Sequence, residues 1–283
     1  MKLLVTGSRG QLGRALERAA ASGGHDFVGY DLPELDITDA GAARAAVRSA
    51  RPDAVINCAA FTAVDAAESE EAKALAVNGT AVGHLAAAAD EIGAVLVQIS
   101  TDYVFDGTAE TPYSEDAPVN PLSAYGRTKL AGERAAAAAR RSLVVRTAWL
   151  FGEGANFVGA VRRQLDAGVE ELRVVADQVG CPTYAEDLAG AILGLLDAGA
   201  LGTVHAVNAG STTWLEFARE IVRRLGSAAR VLPISTAEAN RAAPRPARSL
   251  LDTSQLRRIL GADLPPWQDA LKRYLASRDV DAC

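Results

Sequence analysis

KLLVTGSRGQLG, Lys2–Gly13, is a strand-length apolar run that breaks into a glycine-rich turn and opens a helical segment reaching about Ala21. Strand, turn, helix is how a parallel α/β sheet begins. The glycines permit the tight turn and let a pyrophosphate approach backbone N–H groups at a helix N-terminus. Their spacing, at Gly7, Gly10 and Gly13, is G-x-x-G-x-x-G, which departs from the G-x-G-x-x-G dinucleotide fingerprint. Alone, the turn is equally well read as only a turn.

The neighbouring segments decide between those readings. A second strand, Asp26 to Tyr30, ends in Asp31, whose carboxylate suits the adenosine ribose and repels a 2′-phosphate, whereas Arg9 in the turn attracts one. Asp36 and Ile37 follow within reach of an adenine edge, and Thr38 or Asp39 caps a helix over Ala40 to Ala50. Ala54 to Asn57 is a third strand, followed by the small residues Cys58, Ala59 and Ala60, past which a dinucleotide backbone can run. Glu68 to Glu91 reads as one long helix with Asn78 and Gly79 as weak interior positions. Val95 to Ile99 is a fourth strand, delivering Ser100-Thr101-Asp102-Tyr103 to the carboxyl edge, where open α/β sheets bind ligands. Leu143 to Thr147 is a fifth. Strands alternating with helices give a doubly wound parallel sheet with right-handed crossovers.

Between the fourth and fifth strands lies SAYGRTKLAGE, Ser123 to Glu133. Ser123 is a plausible N-cap, and Tyr125 and Lys129 lie four apart on one helical face. An ammonium beside a phenol favours the phenolate, making the tyrosine a stronger acid, suited to protonating a carbonyl oxygen as hydride arrives at its carbon. Taken alone, the pair more often marks an ordinary helix with a half-buried Tyr and a solvated Lys.

Beyond Thr147 the alternation loosens. Helices are expected to about Ala167, over Glu186 to Asp197 and over Thr213 to Leu225, with a strand over Val204 to Val207 and a tail of short elements punctuated by Pro244, Pro246, Pro265 and Pro266. Residues 1–150 form the nucleotide-binding domain, with 185–210 returning to it, and 151–184 and 211–283 form a smaller, discontinuous substrate lobe.

Composition agrees with a globular α/β chain: 283 residues, 49% hydrophobic, 23% charged, net charge −6. The acidic balance argues against nucleic acid or an anionic membrane as partner. Cys58, Cys181 and Cys283 are far apart and in no ligand spacing, which reads as a reducing cytoplasm without a disulfide framework. His25, His84 and His205 are equally scattered. No signal-peptide pattern or membrane-spanning apolar run is visible, so a soluble, cytoplasmic protein is expected.

TGSRGQLG, LDITD, STDYVFDG, YGRTK, RTAWLFG and DQVGCPT, together over nearly the whole chain, resemble the extended short-chain dehydrogenase/reductases, whose glycine spacing is the one seen here. The resemblance implies a Rossmann-type domain and NADH or NADPH as cofactor. It implies reduction of the 4-keto group of dTDP-4-dehydro-6-deoxy-L-mannose to dTDP-L-rhamnose, with Thr101, Tyr125 and Lys129 catalytic. Gly7, Gly10, Gln11, Leu12, Gly13, Asp31, Asp36, Ile37, Ala59 and Ala60, with Tyr125 and Lys129, would line the cofactor. Thr101, Asp102, Tyr103, Trp149, Asn156 and Arg245 would meet the nucleotide sugar. Arg248 stands where such sequences commonly have Asn, a departure beside the phosphate-binding Arg245. Some members carry magnesium at a homodimer interface; Glu186 matches one acidic ligand, but ASRDVDAC at residues 276–283 offers it no clear partners, so no metal is expected. The competing readings are a reductase of another dTDP-4-keto-deoxysugar, an epimerase on the same fold, and a non-catalytic regulatory subunit resembling that of methionine adenosyltransferase.

Overall fold

Residues 1–280 are described by the computed structural model; the readings made on Cys283 and on the end of the ASRDVDAC stretch lie outside them. Strands β1 (Lys2–Thr6), β2 (Asp26–Tyr30), β3 (Ala54–Asn57), β4 (Val95–Thr101) and β5 (Ser142–Thr147) pair in parallel in the order β5-β4-β3-β1-β2. A further strand, Gly202–His205, adds to the free side of β5, also parallel. The sheet is covered on both faces. Leu3, Val5, Ile56 and Val97 pack under helix α1 (Gln11–Ser22) and the helix Ala185–Asp197. Leu4, Val55, Leu96 and Val144 pack under α2 (Ala40–Ala50) and the helices Ala81–Ile92 and Ala124–Ala137. Burial on both faces explains why these strands read as continuous apolar runs without alternation.

Asp39, not Thr38, caps α2, accepting from the Gly41 and Ala42 amides. Ser123 caps the Tyr125 helix, accepting from Gly126 N at 3.2 Å. The expected single helix over Glu68 to Glu91 is not continuous. It is split into Glu71–Leu75, a π-helical turn over Ala76–Thr80, and Ala81–Ile92. The cause is Asn78, whose buried amide clasps the Phe61 backbone at both N and O and also donates to Thr128 Oγ1. That clasp fixes the loop after β3 against the Tyr125 helix, a use of a π-bulge common near functional sites.

The second lobe is built on Phe151, Leu172, Phe217, Leu271 and Tyr274. Around them lie the helices Phe157–Asp166, Trp214–Arg224 and Trp267–Val280, and a parallel strand pair, Glu171–Val175 with Arg230–Ile234. The expected short elements are present as Thr236–Ala239 and Ser254–Leu260, but the described chain ends in the longer helix Trp267–Val280. Its apolar residues Trp267, Ala270, Leu271, Tyr274 and Leu275 fall at i, i+3, i+4, i+7 and i+8, the pattern of one buried stripe. A separate apolar layer, including Phe105, Tyr113, Leu250 and Leu251, joins this lobe to the carboxyl edge of the sheet. Tyr113 N donates to Leu250 O and Asp252 N to Tyr113 O, each at 2.8 Å, so the segment near residue 250 is bound into the sheet side.

Candidate active site

A cleft of about 880 Å³ lies over the carboxyl ends of β1, β3, β4 and β5. One end is the glycine turn. Gly7 has φ +65°, and a Cβ there would lie 2.6 Å from Ala59 N; one on Gly13 would lie 2.4 Å from Gly7 O. These are backbone-to-backbone approaches that no side chain survives, and they leave the amides at the start of α1 facing the cleft without an acidic residue in the first turn. Gly10, Gln11, Leu12, Ala59 and Ala60 line the same region. The turn, the small residues and the uncompensated helix terminus together fit a dinucleotide.

Asp31 accepts from the Arg9 backbone amide at 2.9 Å and from Leu32 N at 2.8 Å. The Arg9 guanidinium is turned to the Leu32 carbonyl, at 3.0 Å, and to Glu34, with which it forms an ion pair. Arg9 is therefore present near the ribose position but already engaged by an acid. Asp36 accepts from both the amide and the hydroxyl of Thr38, which hold its carboxyl below the usual range, and Ile37 is buried in the core while its edge lines the cleft.

Thr101, Tyr125 and Lys129 meet at the other end of the same cleft. Thr101 is the last residue of β4, and its hydroxyl is within hydrogen-bonding reach of the Tyr125 phenol. The Tyr125 ring stands edge-on to Tyr103, centroids 5.7 Å apart. Lys129 is 3% exposed, so the solvated-lysine reading fails; its ammonium donates to Ile99 O at 2.6 Å. Burial lowers it to about 8, against the pull of Glu133 one turn further along the helix.

The expected acidification of Tyr125 is not found. Burial, aided by the Asp102 carboxylate, pushes the phenol up to about 12, and the Thr101 hydrogen bond opposes this only in part. The physical reason is that the phenol is buried and the charge acting on it is the negative Asp102 carboxylate, while the lysine ammonium is itself desolvated and directed to a carbonyl.

Asp102 is 1% exposed and lines the cleft, where it receives the Thr101 hydroxyl at 3.0 Å and the Ser249 hydroxyl. Burial raises its carboxyl to about 6. Tyr103 lines the cleft and is hydrogen-bonded to Arg245. Arg245 itself is not in the cleft wall; its guanidinium grips Asp65 through two bonds of 3.0 Å. The buried Nε of Arg248, two residues before Leu250, has no hydrogen-bond partner. Trp149 lines the cleft with a backbone φ of +45°, unusual for a bulky residue, and stacks on Trp214 at 3.6 Å. Asn156 does not line it. Its side chain caps the helix Phe157–Asp166 and is occupied by Gly152 O, Gly154 O, Tyr274 Oη and Gly159 N.

The sequence reading missed a buried polar row beneath the cofactor end. Thr6 Oγ1 donates to Asn57 Oδ1 at 2.6 Å, Asn57 Nδ2 to Gln98 Oε1 at 2.7 Å, and Gln98 Nε2 to Ile99 O at 2.8 Å, the carbonyl that Lys129 also uses. It also missed Glu133, which forms a buried ion pair with Arg146 at 2.8 Å and accepts the Ser100 hydroxyl, and it missed Trp214 and Thr147. The signal for the row was present: each member is a polar side chain within or ending an apolar strand, and pairing register aligns them.

The residues do not fit magnesium at Glu186. That carboxylate is ion-paired with Arg18, which also binds Glu153, and the described residues hold no group of three or more His, Cys, Asp or Glu able to take a metal.

Comparison with known proteins places these features in a group. A sequence profile of the family described as RmlD substrate binding domain matches residues 1–280. A Streptomyces griseus protein named dTDP-4-dehydrorhamnose reductase is 46% identical over 95% of this chain and 91% of its own length. A Streptomyces antibioticus protein named probable dTDP-4,6-dihydroxy-2-methyloxan-3-one 4-ketoreductase is 44% identical over 96% and 94%. A Bacillus anthracis dTDP-4-dehydrorhamnose reductase solved in complex with NADP superposes with a TM-score of 0.94 at 37% identity, covering 98% of this chain and 99% of that one.

Proposed function

Because the chain belongs to the RmlD substrate binding domain family, we propose that it reduces the 4-keto group of dTDP-4-dehydro-6-deoxy-L-mannose with NADH or NADPH, giving dTDP-L-rhamnose. The observation that carries this is the convergence of Thr101, Tyr125 and Lys129 at one end of a cleft whose other end is the glycine turn. A regulatory subunit needs the turn but not that trio.

When bound, the reduced nicotinamide supplies the hydride. Tyr125 gives its phenolic proton to the oxygen that becomes negative, as the general acid. Held near 12, the phenol is fully protonated at neutral pH, and the developing alkoxide is the stronger base. Thr101 supplies a second hydrogen bond once its single proton turns from Asp102 to the keto oxygen. Lys129 positions the nicotinamide ribose and adds positive charge beside the reacting groups. Asp102, itself bonded to Ser249, holds Thr101, and Tyr103 lines the cleft with Arg245 hydrogen-bonded behind it.

The test is direct. Purified protein with NADH or NADPH and dTDP-4-dehydro-6-deoxy-L-mannose should lose 340-nm absorbance as dTDP-L-rhamnose forms. Cofactor binding without turnover on this or any related 4-keto sugar would favour the regulatory reading. The Streptomyces antibioticus relative motivates a second one, a different dTDP-4-keto-deoxysugar, which a higher kcat/KM on that sugar would reveal.

A further inference from the structure

Thr147 ends β5 and is the parallel-register partner of Thr101 at the end of β4, so both project to the same face of the sheet. It is 7% exposed and lines the cleft. Its hydroxyl, however, has no hydrogen-bond partner. Buried hydroxyls are rarely left so, because an unpaired one loses its water without compensation. Thr101, its neighbour, shows the usual local solution by donating to Asp102. No such group reaches Thr147.

We propose that Thr147 holds the carboxamide of the nicotinamide ring. The inference rests on the nicotinamide-cofactor reading above. A dinucleotide whose pyrophosphate sits at the Gly7–Gly13 turn on β1 passes Ala59 and Ala60 after β3. It then reaches Lys129, whose ammonium is anchored to Ile99 on β4. The ring is the next unit along that line and lies over β5, where Thr147 stands. A carboxamide offers a carbonyl acceptor and an NH₂ donor, and a hydroxyl can satisfy either. A hydroxyl of the sugar is the competing occupant, and the experiment separates the two.

Dissociation constants for NADH and for ADP-ribose, which lacks the nicotinamide, would be measured by calorimetry on the wild type, Thr147→Val and Thr147→Ser. The valine variant should bind NADH about tenfold more weakly, the scale of one neutral hydrogen bond, and ADP-ribose unchanged. The serine variant should retain NADH affinity. The proposal falls if valine leaves NADH binding intact, if both ligands weaken equally, or if the only change is a raised KM for the keto sugar. If the valine variant does not fold, Thr147→Ala carries the same comparison. A wild type that binds neither ligand overturns the cofactor reading as well.

Discussion

Replacing Lys129 with methionine should stabilise the unliganded protein while disabling it. The ammonium is 3% exposed, and burial takes it from 10.5 to about 8. Between those values the folded chain binds fewer protons than the unfolded chain, so stability rises with pH across that window. Below about 8 the full penalty is present. It amounts to about 3 kcal/mol at pH 7 and about 2 kcal/mol at pH 9. Methionine keeps most of the apolar stem and removes the charge. The Ile99 carbonyl is not orphaned by the change, because Gln98 Nε2 still donates to it at 2.8 Å, so the lost bond costs only about 1 kcal/mol. The variant should therefore gain about 2 kcal/mol at pH 7 and about half that at pH 9. Urea unfolding at both pH values reads the difference, and a parallel assay should show loss of both cofactor affinity and turnover. A variant less stable than the wild type at pH 7, or one whose offset is the same at both pH values, would refute the account of Lys129 as a charge held at a cost.

Tyr125→Phe keeps the ring and removes the proton donor: kcat should fall by about two to four powers of ten with NADH affinity little changed, and near-normal turnover in a folded variant would reduce the Tyr125 helix to a scaffold. Thr101→Val should cost less than Tyr125→Phe in the same assay, because the Tyr125 bond to the oxygen survives. NADH and NADPH should both work, since Arg9 is engaged by Glu34 and Asp31 by backbone amides; a kcat/KM preference for NADPH above roughly a hundredfold, about 2.7 kcal/mol, would show that Arg9 leaves Glu34 for the 2′-phosphate. Gly13→Ala, with its methyl 2.4 Å from Gly7 O, should open the turn and weaken NADH and ADP-ribose together, which calorimetry on the folded variant will show.

The strands and the doubly wound parallel sheet were legible because burial on both faces leaves unbroken apolar runs, and the cofactor end because glycine at Gly7 and Gly13 answers to backbone contacts made nearby; the order of the strands was not. Lys129 and Thr101 were legible as residue types but not as electrostatics. Which way an ammonium turns, and that burial and then Asp102 set the Tyr125 phenol, depend on packing that no spacing encodes. Asn156 illustrates the opposite failure: Asn before an apolar helix is a cap signal and a ligand signal at once, and its four partners identify the cap. The lobe was read least well because its strands pair Glu171–Val175 with the distant Arg230–Ile234, a partnership without a local mark.

The hydroxyl of Ser249 reaching to Asp102, and Arg245 closing on Asp65, bear on how the enzyme is made. As the chain leaves the ribosome, the glycine turn, Tyr125 and Lys129 are all outside before residue 150. The carboxyl edge of β4 stays unfinished until about a hundred residues later, with Asp102 lacking the Ser249 hydroxyl and the side of β5 bare until Gly202–His205 arrives. A nascent or truncated amino-terminal half thus carries the proposed reacting groups, Thr101, Tyr125 and Lys129, without the Ser249 bond that steadies Asp102 beside Thr101.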